Sequence, residues 1–170
     1  MKKVIKVLCF PILILVIIAL VYLYINKMWI FNPYRNVLVE PEKIITKLEE
    51  EFELNSCYEM NEEEVKEKYY IEDASQISSF SVLSSYIGLE AEEIAIFKLN
   101  DKSQMKDFKE NIVKRAKDII KYYEGYSYTQ TEVSKDYDIK EYNDTLVFII
   151  HKNKDKIIKY IEKIILENGR

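Results

Sequence analysis

The chain has 170 residues, 29 acidic and 25 basic, with a formal net charge of −4. Its three glycines, Gly88, Gly125 and Gly169, are too few and too scattered for a phosphate-cradling loop or a dinucleotide fingerprint. The lone histidine, His151, excludes a multi-histidine metal centre within one chain. The negative balance argues against nucleic acid as a partner.

Val7 to Ile25 forms one uncharged, apolar run of 19 residues. As a helix it spans roughly 28 Å, close to the hydrocarbon thickness of a bilayer. A cleaved signal would be shorter and end in small residues, but this run ends in Tyr22, Leu23, Tyr24 and Ile25. Cys9 stands near its start, where a lipoprotein signal would not put it. The pattern predicts an uncleaved single-pass anchor over residues 1–27, with the lipid bilayer as its partner. A juxtamembrane linker over 28–40 and an extracytoplasmic domain over 41–170 follow. Lys2, Lys3 and Lys6 precede the run, and Lys27 and Arg35 follow it. The bias predicts a cytoplasmic N-terminus at the cell membrane. Trp29, Phe31 and Tyr34 suit either the headgroup level or the first hydrophobic layer of the domain.

Pro41 opens a helix in which Ile44, Ile45, Leu48 and Phe52 recur at helical spacing. Asn61 and Glu64 make a capping box for a second short helix, with Met60 and Val65 spaced as a hydrophobic staple. A strand follows, with Phe80, Val82 and Tyr86 alternating with serines, which predicts one wet face. Glu93 to Leu99 is a second strand. The helix after it carries Met105, Phe108, Ile112, Ala116, Ile119 and Tyr123 on one face, and Gly125 stands where a C-terminal cap is expected. Two more strands meet at Asn143-Asp144, and a last helix presents Ile157, Ile161, Ile164 and Ile165 before ending near Gly169. The predicted class is α+β: an N-terminal transmembrane helix, two short helices, then an antiparallel sheet of about four strands built as two strand–strand–helix units. Two long helices are expected on one face of that sheet.

Two strands are apolar on both faces. Ile94 and Ile96 oppose Ala95, Phe97 and Leu99, while Leu146, Phe148 and Ile150 oppose Val147 and Ile149. Such strands need cover on both sides, either from the N-terminal helices or from another protein.

"AEEIAIFKLND" with the charged helix after it, "YYEGYSY" around Tyr126, and "LVFII" with its helix resemble a bacterial family catalogued as domain of unknown function 4358. The likeness runs from about Lys43 to Ile165. The resemblance implies a domain tethered outside the cytoplasm. It implies no catalytic residue, because none is established for the family. The family often has glycine in the last hairpin turn, where this chain has Asn143-Asp144.

Glu40 to Glu93 holds 16 acidic and 4 basic residues, whereas Ala95 to Arg170 holds 13 and 16. The glutamate runs at 49–51 and 62–64 lack the oxygen spacing and glycine of a calcium loop, and read as solvated or capping faces. Lys102, Lys106, Lys109, Lys114, Arg115, Lys117 and Lys121 lie on a helix also carrying Asp107, Glu110 and Asp118, which favours a solvated face over an anion-binding one. No metal site and no cofactor is indicated. His151 with Ser84, Ser85 or Cys57 offers at most a hydrolase-like alternative, since no spacing selects a nucleophile. Cys57 is either a small buried residue or an exposed thiol able to pair between chains, and a homodimer stays open. Tyr126, Tyr128 and Thr129, read as a loop, are the preferred contact residues, unless Tyr126 closes over the core instead. The sequence therefore favours a tethered extracytoplasmic binding module with a membrane-protein or cell-wall partner. A small envelope enzyme using His151 is the alternative.

Overall fold

A computed structural model describes residues 14–22, 24, 34, 37–54, 56–86 and 90–168. The chain divides into two units, Met1–Pro33 and Tyr34–Arg170. In the first, residues 14–22 and 24 are helical. No helix among the described residues is long and apolar enough to cross a membrane. Most of the predicted 1–27 anchor lies outside the described residues, as do Trp29 and Phe31.

The second unit runs α1 (Pro41–Glu51), β1 (Cys57–Glu59), α2 (Glu62–Lys68), β2 (Ile77–Ser85), β3 (Glu93–Leu99), α3 (Met105–Glu124), α4 (Tyr128–Lys135), β4 (Asp138–Tyr142), β5 (Thr145–Ile150) and α5 (Lys154–Asn168). The five strands form one antiparallel sheet in the order β1-β2-β3-β5-β4. The α+β class holds, with five strands rather than about four. β3 and β5 occupy the centre, with Ala95 opposite Phe148 and Phe97 opposite Leu146. The apolar character of these strands on both faces follows from that position.

Both faces are covered from within the chain. One core packs Val82, Ala95, Phe97, Leu99, Leu146, Phe148 and Ile150 against α2 and α3, through Val65, Phe108, Ile112, Ala116 and Ile119. The other packs Leu83, Ile94, Ile96, Val147 and Ile149 against α1 and α5, through Ile44, Ile45, Leu48, Ile157, Ile161, Ile164 and Ile165. The two long helices thus lie on opposite faces rather than on one. Central strands with two apolar faces leave an unburied hydrophobic layer if both helices take the same side. Val37 and Val39, placed in the linker by the sequence, are buried in the α1–α5 core, and the Tyr34 ring meets Tyr142 edge-on at 4.9 Å.

Local chemistry accounts for the element ends. Asn61 accepts from the Glu64 N–H at 3.0 Å and Glu64 accepts from the Asn61 N–H at 3.0 Å, completing the predicted box. Asn143 takes φ 55° in the β4–β5 hairpin, a conformation asparagine tolerates. Gly125 ends α3 with φ −98°, so this helix end makes no demand on glycine. The left-handed cap is instead at Tyr70, φ 56°, just after α2. There the Ile71 N–H reaches the Lys66 carbonyl at 2.9 Å and the Tyr70 N–H reaches that of Glu67 at 3.3 Å, the Schellman pairing. Glycine is usual at that position. Tyr70 is held there from α3, by its hydroxyl on Asp118 and by Asn111, which donates to its carbonyl at 3.2 Å.

Candidate functional site: a tyrosine-lined cleft over a buried ion pair

Where β2 ends and β3 begins, the sheet meets α3, and a cleft of about 530 Å³ opens. Tyr58 from β1, Lys68 from α2, Ser84 and Ser85 from β2, Glu90 to Glu93 around the start of β3, and Arg115, Asp118, Ile119, Tyr122 and Tyr123 from α3 line it. Its volume falls in the range of small-molecule sites.

Glu93 lies in the wall of this cleft, 2 % exposed. Arg115 grips it with two hydrogen bonds, Nε to Oε1 at 2.9 Å and Nη2 to Oε2 at 2.6 Å. Tyr69 donates to Oε1 at 2.6 Å and Ser84 to Oε2 at 3.0 Å. Four donors therefore satisfy one buried carboxylate, as a buried charge requires. Burial works against the charge on Arg115. The bonds and charge of Glu93 more than offset it and hold the guanidinium firmly protonated. Burial, with Glu93 beside it, pushes the Tyr69 hydroxyl well above its ordinary range.

A second polar group extends the cleft wall. Glu92 accepts from Ser56 at 3.5 Å and meets His151 Nε2 at 3.3 Å, while Lys152 Nζ lies 3.9 Å away. Desolvation and then the charge of Glu90 raise its pKa. Desolvation lowers that of His151, so the imidazole is neutral at pH 7 and its approach to Glu92 is a polar contact rather than an ion pair. His151 Nδ1 accepts from the Asn153 N–H at 2.8 Å, which places the proton on Nε2. Both ring nitrogens are thus engaged, and among the described residues no hydroxyl or thiol bonds to either. Burial, then Glu92, pushes the Cys57 thiol up to about 11, far from the thiolate a nucleophile needs. The four groups of the hydrolase-like reading divide: Ser84 serves Glu93, Ser85 Oγ is buried without a partner, Cys57 stays protonated, and His151 is occupied. No cluster of three or more metal-ligating side chains is found among the described residues.

Tyr126, Tyr128 and Thr129 are all exposed, Tyr126 at 69 % and Tyr128 at 82 %. Tyr126 therefore does not close over the core. The segment read as a loop is the start of α4, with Ser127 as N-cap, accepting from the Gln130 N–H. Tyr126 and Tyr128 border a separate shallow hollow of about 500 Å³ with Ser127, Thr131 and Lys135, and Thr129 stands outside it. Tyr122, 60 % exposed, joins the two regions, with its ring 6.5 Å from that of Tyr126 and 5.0 Å from that of Tyr123.

Sequence reasoning missed the buried network. Arg115 passed for one of seven solvated cations on and just before α3, yet its side chain is only 15 % exposed. Its place directly before Ala116, on the border of the buried stripe, was the available signal. Ser81, on the face expected to be wet, is buried and bonded to Glu59, and Ser84 is buried and bonded to Glu93.

An antiparallel sheet with helices on both faces and a polar cleft at the β2–β3 end defines the structural class. The family model described as Domain of unknown function (DUF4358) matches residues 50–151, and the chain belongs to that family. The matched span contains every residue of the cleft. No curated protein and no solved structure matches the chain.

Proposed function

We propose that this chain is a membrane-tethered binding module, held by residues 1–27 with its N-terminus in the cytoplasm and its folded unit outside, and that the cleft is its ligand site. The observation that carries the reading is the state of the cleft walls. Their buried carboxylate and guanidinium neutralise each other through two hydrogen bonds, and the available nucleophiles are bonded, protonated or away from the histidine. Such walls fix shape and polarity without offering a reactive group. The tether adds effective concentration near membrane or wall partners, so a weak site suffices. The uncharged run of residues 7–25 supports the tether, and the excess of lysine ahead of it supports the orientation.

The test is site-specific photocrosslinking of the full chain in its native membrane. A photoreactive residue replacing Tyr122 at the cleft should give a discrete adduct. The same residue replacing Lys159, exposed on α5, should not. Adducts of equal yield at both positions, or none at 122, refute the cleft as the ligand site.

A further inference from the structure

Tyrosine rings gather around the cleft without being packed into either core. Tyr86, Tyr122 and Tyr126 are exposed, and Tyr58 is half-buried. Tyr58 of β1 and Tyr86, directly after β2, meet with ring centroids 5.2 Å apart and planes 36° from each other. From α3, Tyr122 and Tyr123 line the cleft, and the Tyr122 ring continues to that of Tyr126. A single exposed ring is ordinary on a protein surface, whereas rings brought from separate elements to one cleft mark a contact surface.

The other groups of the cleft narrow what that surface receives. Glu90, Glu92 and Asp118 oppose an anion, and Lys68 opposes a cation. A peptide that adds as a strand needs open backbone groups. The N–H groups at the rim are already given away: Ser85 to the Glu92 carbonyl at 2.9 Å, Tyr86 to the Ser56 carbonyl at 2.8 Å, and Ala91 to the Gln130 side chain at 2.8 Å. Side chains carry the remaining capacity. Lys68 gives one of its three N–H donors to Tyr58, and Asp118 accepts from the Tyr70 hydroxyl at one of its two oxygens.

We propose that the cleft receives a neutral saccharide, a pyranoside of one or two rings with neighbouring hydroxyls. The proposal rests on the binding-module reading and gives its site a ligand class. A pyranose has a face of C–H groups and a rim of hydroxyls. The C–H face suits the negative face of an exposed ring such as Tyr122. Each hydroxyl both donates and accepts, so it is served by carboxylate and ammonium side by side, as at Glu90, Asp118 and Lys68. A volume of about 530 Å³ suits a ligand of that size. The Tyr123 hydroxyl donates to the Glu90 carbonyl at 2.7 Å, which ties the segment carrying Glu90 to α3 and fixes the wall before the ligand arrives.

The experiment uses the full chain, isotopically labelled, in micelles of a detergent without a sugar headgroup, observed by NMR. The probes are N,N′-diacetylchitobiose, cellobiose and sorbitol, which has the hydroxyls but no ring face. At least one disaccharide should shift the amide signals of Ser85, Ala91 and Tyr122, and sorbitol should not. The tighter disaccharide tells an acetamido glycan from a plain one. Tyr122→Phe should bind within about twofold of wild type, and Tyr122→Leu at least about fivefold more weakly. Glu90→Ala, on a different element, should also weaken binding at least about fivefold, and serves if Tyr122→Leu disturbs the spectrum of the fold. Equal shifts with sorbitol, or unchanged affinity in Tyr122→Leu and Glu90→Ala, overturn the proposal. If neither disaccharide binds while position 122 crosslinks a protein, the saccharide assignment fails and the cleft stands. If neither binds and position 122 gives no adduct, the binding-module reading fails as well.

Discussion

A carboxylate as enclosed as Glu93 is stable only while all its partners are present. Removing Arg115 as Arg115→Met strands that charge, with Tyr69 and Ser84 as its remaining donors. Destabilisation of about 3–5 kcal/mol is expected in urea unfolding. Adding Glu93→Leu should recover at least half of it, because the penalty belongs to the unpaired charge more than to the lost contact. Glu92 behaves differently. Its pKa is raised by desolvation and then by Glu90, so the folded state disfavours its ionised form. Below the ordinary carboxylate value of 4.5 both folded and unfolded states are protonated, and the group costs nothing. As pH rises through that value towards the raised one, the unfolded chain ionises first and stability falls. Glu92→Gln keeps a polar group of the same shape against His151 and removes the titration. The variant should therefore gain stability relative to wild type between pH 4 and pH 7.5, read from urea midpoints at the two pH values. An unchanged difference across that window refutes the assignment.

At the scale of elements, legibility followed burial pattern. α3 and α5 were plain because their apolar residues recur with the helical period, and the α2 start because two capping signals agree there. α4 escaped because its buried face includes the small polar residues Thr131 and Ser134, with Val133 only half-buried, so no apolar period marks it. β1 escaped because three residues are too few to show alternation. Which face each long helix takes was not legible either, although the two-faced strands already stated the need for cover on both. The cleft stayed hidden because its members come from five segments, and charged residues on a helix read as solvated until a buried partner is known. Helix ends give a direct check on what glycine does here. Gly125 has an ordinary φ, and a Cβ there meets no atom within 4 Å. Gly125→Ala should therefore raise stability by about 0.4–1 kcal/mol in thermal or urea unfolding, through reduced freedom of the unfolded chain. A loss instead would mean that the α3–α4 turn needs a conformation only glycine reaches.

At the scale of the whole molecule, the proposed placement turns on which side of the membrane the folded unit occupies. Cys57 is a poor reporter, because it is partly buried and its thiol is pushed up to about 11, so it reacts slowly wherever it is. Thr129 is a better position. It is exposed on α4 and lies outside both the cleft and the neighbouring hollow, so a cysteine there leaves the fold and the proposed site intact. Thr129→Cys in a Cys57→Ser background should be labelled by a membrane-impermeant maleimide on intact cells, with no further gain on lysis. The remaining cysteine, Cys9, lies in the apolar run, and on this reading the bilayer shields it. The Cys57→Ser parent should accordingly stay unlabelled. Labelling of Thr129→Cys only after lysis would put the folded unit in the cytoplasm, reverse the orientation read from Lys2, Lys3 and Lys6, and remove wall components from the candidate partners. The cleft and its charge balance would be unchanged by that result, because they depend on the fold alone, and the ligand would then have to be an intracellular one.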